Sequence, residues 1–152
     1  MKKTGWILLA CMIGACTAQK QSKSRSNGDD RSQKVEYLND NTYLLKEKTE
    51  DKSYGFNQNN PIKVGGMKES SGPKNERRFL NALRGPNGEK VSYARGGSCC
   101  PFETPNGLID NAGLLDRYWI TWEGSKDTLN LYLNMYDYGN LKIPLGFTGN
   151  GD

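Results

Sequence analysis

The chain contains no histidine at all. That absence removes Ser-His-Asp and Cys-His catalysis and every histidine-ligated metal site. No apolar run is long enough to span a bilayer, which takes about 20 residues. Arg77-Arg78 is the only arginine pair, and the other cations are scattered. No basic stripe of the kind used on phosphate backbones is present, so nucleic acid is not an expected partner. Adjacent acids occur only at Asp29-Asp30 and Glu50-Asp51, and neither sits in a calcium-loop pattern. No metal or cofactor is therefore expected. Gly65-Gly66, Gly85-x-x-Gly88 and Gly96-Gly97 lack the strand-to-helix setting and the Lys-Ser/Thr of a phosphate loop, and read as turn glycines.

What is present begins at the N-terminus. Lys2-Lys3 precede a short apolar run, Trp6 to Ala15, as in a secretory signal peptide. The run ends at Ile13-Gly14-Ala15-Cys16, which resembles a bacterial lipobox. The resemblance implies cleavage after residue 15 and lipid on Cys16. Leu8-Leu9-Ala10-Cys11 fits the same pattern but leaves a very short apolar region, so Cys16 is preferred. The expected protein is an exported lipoprotein held on a membrane. Thr17 is not an inner-membrane retention aspartate, which favours the outer membrane; the face of the envelope stays open.

From Thr17 to Lys34 there is no aromatic or large aliphatic residue. Such a segment buries too little apolar surface to offset its ordering entropy, and reads as a solvated tether. The expected organisation is thus a signal at 1–15, a lipidated cysteine and tether at 16–34, and one domain at 35–152. Loss of Lys2 and Lys3 with the signal lowers the net charge from +4 to +2. A domain of that length is too small for a (β/α)8 barrel, which takes about 250 residues.

Leu114 to Glu123 and Leu129 to Tyr136 alternate apolar and polar residues with a period of two. Gly124 to Asp127 makes a turn between them, so they read as an antiparallel hairpin. Leu141 to Leu145 reads as a third strand, at an edge because Pro144 has no amide donor. Gly72-Pro73 opens a helix carrying Phe79, Leu80, Ala82 and Leu83 on one face, and Gly85-Pro86 ends it. Arg77, Arg78 and Arg84 are expected at its solvent side or rim. Lys90 to Arg95 reads as a strand, and Thr42 to Lys48 carries strand formers. Tyr54-Gly55-Phe56 and Pro61 to Val64 read as short extended pieces. The expected fold class is α+β: a mainly antiparallel β-sheet with one short helix on one face, rich in loops.

Two sets of candidate site residues emerge. Cys99 and Cys100 are the cysteines left once Cys16 is acylated and Cys11 is removed. Their Cα atoms lie about 3.8 Å apart across a trans peptide, closer than the roughly 4.4–6.8 Å of a relaxed disulfide. A strained vicinal ring, two free thiols, an interchain crosslink and a soft-metal site all remain open. The plainest reading is a structural pair in a tight loop. Redox catalysis lacks the Cys-x-x-Cys spacing and the surrounding βαβ pattern. Asn130, Tyr132, Asn134 and Tyr136, with Trp119 nearby, would form a polar-aromatic sheet face suited to a sugar or peptide, or simply a solvated face.

Several segments carry a family resemblance: Tyr54-Gly55-Phe56, Asn60 to Gly66, Arg78 to Gly88, Gly97-Ser98-Cys99-Cys100-Pro101-Phe102 and Leu131 to Asp137. Together they span most of residues 54–147 and resemble small bacterial envelope lipoproteins. Such chains often carry the label 2-dehydro-3-deoxyphosphooctonate aldolase, and no catalytic residue can be carried over from them. An aldolase of that kind needs a full barrel and a phosphorylated cytoplasmic substrate, or a desolvated Schiff-base lysine. Lys63, Lys90 and Lys142 are the lysines to consider, and no sequence feature marks any of them. The leading expectation is a non-catalytic binding or scaffolding domain with Cys99–Cys100 near its working surface. An envelope thiol–disulfide protein is the alternative.

Overall fold

The computed structural model describes residues 23–151. The expected signal segment, Cys16, its alternative Cys11 and the start of the expected tether lie outside the described residues. Its centre is the expected hairpin. Strands β7 (Ala112–Trp122) and β8 (Leu129–Asn134) pair antiparallel from Ile120↔Leu129 to Asp116↔Leu133. Period-two alternation sends Tyr118, Ile120, Leu131 and Leu133 inward, and all four are buried.

The other elements complete an α+β fold. In chain order they are β1 (Ser24–Arg25), β2 (Glu36–Asn39), β3 (Thr42–Leu44) and β4 (Ile62–Lys63). Next come α1 (Gly72–Ala82), β5 (Leu83–Arg84), β6 (Val91–Glu103) and, after the hairpin, β9 (Thr148–Gly149). The main sheet has the order β1-β6-β7-β8-β4. Its centre is antiparallel and its two edges, β1 on β6 and β4 on β8, are parallel. Two small ribbons, β2-β3 and β5-β9, stand apart from it.

Helix α1 forms where expected. Pro73 occupies its first turn, and no β-branched residue interrupts it. Phe79, Leu80 and Ala82 are fully buried and join Ile62, Val64, Ile120, Leu131, Leu133 and Ile143 in one core. Arg77 is exposed, and Arg78 and Arg84 are half-buried. The helix stops before Gly85-Pro86. Leu83 is already extended (φ −76°, ψ 149°) and pairs with Gly149, so tertiary strand pairing ends the helix early.

Four other expectations are corrected. Leu141 to Leu145 is not a strand; Ile143 makes only an isolated bridge to Lys48, with its N–H donating to Glu47 O. Tyr54 to Phe56 form a turn, closed by Tyr54 N–H to Asp51 O and Phe56 N–H to Ser53 O. The strand expected at Lys90 to Arg95 continues to Glu103. Residues 23–34 are not a free tether. Ser24 and Arg25 pair with Phe102 and Glu103, and Asp30 N–H donates to Tyr138 O at 2.8 Å. Arg31 Nε donates to Gly139 O at 2.7 Å, and its guanidinium lies 4.7 Å from the Tyr138 ring centre. This strap is held by hydrogen bonds to distant residues, which its own apolar-poor composition does not reveal.

Candidate functional site

Strand β6 pairs with β7 along its whole length but slips register twice. Val91↔Trp122 runs to Arg95↔Tyr118, Gly96 is skipped, and pairing resumes at Gly97↔Arg117. Cys99↔Leu115 is followed by a skip at Cys100 and a restart at Pro101↔Leu114. Each skip is a β-bulge, which bends a strand and re-aims its side chains. Cys99 and Cys100 are bonded to each other with Cα atoms 3.7 Å apart, and both are half-buried. The pair therefore sits in the second bulge of a 13-residue strand, not in a tight loop. Cys100 has φ +55°, a left-handed conformation uncommon for a residue with a side chain.

A polar cluster lies beside the bulges on the face covered by α1. Asp116 is 2% exposed and accepts from Arg95 Nε and Nη2, both at 2.7 Å, in a bidentate fork. Ser98 Oγ also donates to it, at 2.9 Å. Tyr118 O–H donates to Glu76 Oε2 at 2.9 Å, while Glu76 Oε1 has no partner. Burial first, and then the negative charge of Asp116, push the Glu76 carboxyl up to about 8. Burial and the neighbouring Glu76 also push the Tyr118 phenol up. Glu76 thus holds a proton at neutral pH. A general acid must reach its substrate, and Glu76 is 0% exposed. Its role in this state is to tie α1 to the hairpin.

The other face of the same hairpin end carries a cleft of about 400 Å³. Asn27, Asn59, Asn60, Asn140, Arg25 and Lys63 line it with the nearly buried Phe102 and Leu115; the Asn60 amide is held by Asp51 and Ser53 and the Asn140 amide by Ser32. Leu115 is the ladder partner of Cys99, so the cleft adjoins the disulfide. The Lys63–Asp30 ion pair, 2.7 Å long, stands at its side. The strap is locked to this region through Asp137. Burial would raise that carboxyl, but hydrogen bonds from Ser26, Thr104, Asn106 and Asn134 hold it below the usual carboxylate range. Five chain stretches far apart in sequence build the cleft. The asparagine richness of residues 57–60 was its one sequence trace.

Among the expected ligand-surface residues, Trp119 and Asn130 are direct ladder partners, and Tyr132 follows on the same face opposite Arg117. Trp119 is 45% exposed and lies over Gly96, where a Cβ would come within 2.9 Å of the indole. It borders a shallow depression with Ser92, Ala94, Thr121 and Thr128. Asn134 is not part of that surface. It is fully buried; its Nδ2 donates to Asp137 at 2.8 Å, and its Oδ1 accepts from the N–H groups of Tyr136 and Asp137. The chain bends there, and Tyr136 turns to meet the Phe102 ring edge-on, 5.9 Å away. Among the described residues no group of three or more Cys, Asp and Glu could hold a metal ion. No helix among them is long and apolar enough to cross a membrane.

Fold and site together define a small α+β domain with a vicinal disulfide in a bulged hairpin and a polar cleft beside it. Compared with protein-family models, curated proteins and solved structures, the chain matches none.

Proposed function

We propose that this is a lipoprotein of the bacterial cell envelope whose domain binds a neutral polar ligand, a glycan or peptide, without catalysis. The observation that carries the reading is the cleft of about 400 Å³ lined by the amide side chains of Asn27 and Asn59 next to Phe102 and Leu115. Amides donate and accept without net charge, and apolar floors take sugar or side-chain faces. The anchor at Cys16 rests on the lipobox-like Ile13-Gly14-Ala15-Cys16. The test is an array of neutral glycans and uncharged peptides probed with the purified protein. Retention of a ligand is expected, and Asn59→Ala should weaken it about three- to tenfold, the loss of one hydrogen bond. Ligand binding untouched by cleft substitutions would sink the cleft; failure of Cys16→Ala to leave the membrane fraction would sink the anchor.

A second reading, an envelope thiol–disulfide protein, is favoured by the half-exposed Cys99–Cys100 bond. There the bond would oxidise a partner dithiol and leave two thiols. Alkylation rates flat across neutral pH in the reduced protein would count against it. The aldolase reading has less support. Lys63 Nζ and Lys142 Nζ are tied in ion pairs with Asp30 and Glu47, at 2.7 and 2.6 Å, and neither lies in an apolar pocket.

A further inference from the structure

The far end of the β6–β7 hairpin exposes apolar side chains, with Glu103 opposite Ala112 among them. Leu114 pairs with Pro101, and Ala112 lies two residues from Leu114 on the same face. Ile109 bridges to Ala112 and so continues that face. Ile109 is 75% exposed, Leu108 56% and Leu114 43%. Helix α1 does not extend over this end. The tip is nonetheless well ordered by hydrogen bonds: Ala112 N–H donates to Ile109 O at 2.8 Å and Thr104 N–H to Asn111 O at 2.8 Å. Asp110 and Asn111 both take positive φ, +49° and +53°, as in the tight turns that match strand twist.

The strap emerges at the same place. Ser24 is the ladder partner of Phe102, one residue past Pro101, and Asn106 Nδ2 donates to Asp29 at 2.8 Å. Eight peptide steps separate Ser24 from Cys16, a reach of at most about 29 Å. A lipid on Cys16 therefore keeps this end of the domain within that distance of the bilayer. The opposite end of the hairpin, at Trp122, lies about 33 Å from Ala112, ten steps of strand.

We propose that the Leu108–Ile109–Leu114 tip rests in the phospholipid surface to which the chain is anchored. This inference rests on the anchor at Cys16. The lipid supplies the membrane attachment, and the tip sets the orientation: α1 and the polar cleft are held at fixed heights rather than swinging on a leash.

The test uses the mature lipidated protein in phosphatidylcholine–phosphatidylglycerol vesicles, with and without bromine on the upper acyl chain. An Ile109→Trp variant places a fluorophore at the tip, while Trp119 and Trp122 report from the middle and far end of the strand. Side chains buried about 5–10 Å into the headgroup boundary are reached by such bromines, so the added emission should fall by roughly half, with the parent nearly unchanged. Co-sedimentation without quenching overturns the inference and leaves the anchor standing. Absence of lipid on Cys16 overturns both. A dimer in detergent that Ile109→Ser dissociates would mean the tip meets a second copy instead, and also overturns it.

Discussion

The β6–β7 hairpin has two unlike ends. From Val91 to Arg95 its ladder is regular, and α1 covers one face, burying Tyr118 and Ile120. From Gly96 to Glu103 it is interrupted by two bulges, holds a disulfide between neighbours, and exposes Leu114 and Ile109. The strands are the same and the length is continuous. What changes is the cover: the first end packs against a helix, and the second against a hydrogen-bonded strap on one face only. Apolar burial runs through the first end, whereas at the other it is limited to Phe102 and Leu115 and is joined by turns, a short covalent ring and polar contacts.

The largest effect should fall at the helix-covered end. Ile120→Ala removes a fully buried side chain and should destabilise by about 2–5 kcal/mol, whereas Leu114→Ala should stay within about 0.5 kcal/mol. Urea unfolding of both variants checks the contrast; equal losses would show that the bulged end is packed as a core.

A pH titration sharpens the same boundary. Glu76 is raised to about 8 in the folded chain by burial and then by Asp116, against 4.5 as its ordinary value. The native state therefore keeps a proton that the unfolded chain releases. Its stabilising contribution is complete below pH 4.5 and is lost as pH rises to about 8. Asp116, Tyr118 and Arg95 are the groups facing it. Glu76→Gln should flatten that slope and be the more stable at pH 8 by on the order of 3 kcal/mol. An unchanged slope would place the proton elsewhere.

A smaller effect than those at Ile120 and Glu76 belongs to the disulfide. Bonding adjacent residues closes almost no loop, so Cys99→Ser/Cys100→Ser should cost about 1 kcal/mol in thermal or chemical unfolding. A loss above about 3 kcal/mol would show that the ring holds the bulge, and through it the hairpin end.

The regular end was the legible one. Alternation in Leu114 to Glu123 and Leu129 to Met135 placed both strands of the second hairpin, and Gly72-Pro73 with Phe79 and Leu80 placed the helix. The bulged end was not. Lys90 to Arg95 read as a strand, but Gly96-Gly97 broke the pattern, so the continuation to Glu103 was invisible. Asn134 kept the parity of Asn130 and Tyr132, yet its amide turns inward because Asp137 and the amides of the bend need it. The trio of Trp119, Asn130 and Tyr132 did come together, because a ladder with regular register preserves parity.

By itself the sequence determined the α+β class, the β7–β8 hairpin and the single helix, because amphipathic period and turn chemistry are local properties read along a few residues. Tertiary structure alone decided the packed strap at 23–34, the two bulges, the early end of the helix and the cleft. Each of these depends on hydrogen bonds between residues far apart in the chain, Asp30 with Tyr138 or Leu83 with Gly149, and no local period encodes which distant amide meets which carbonyl.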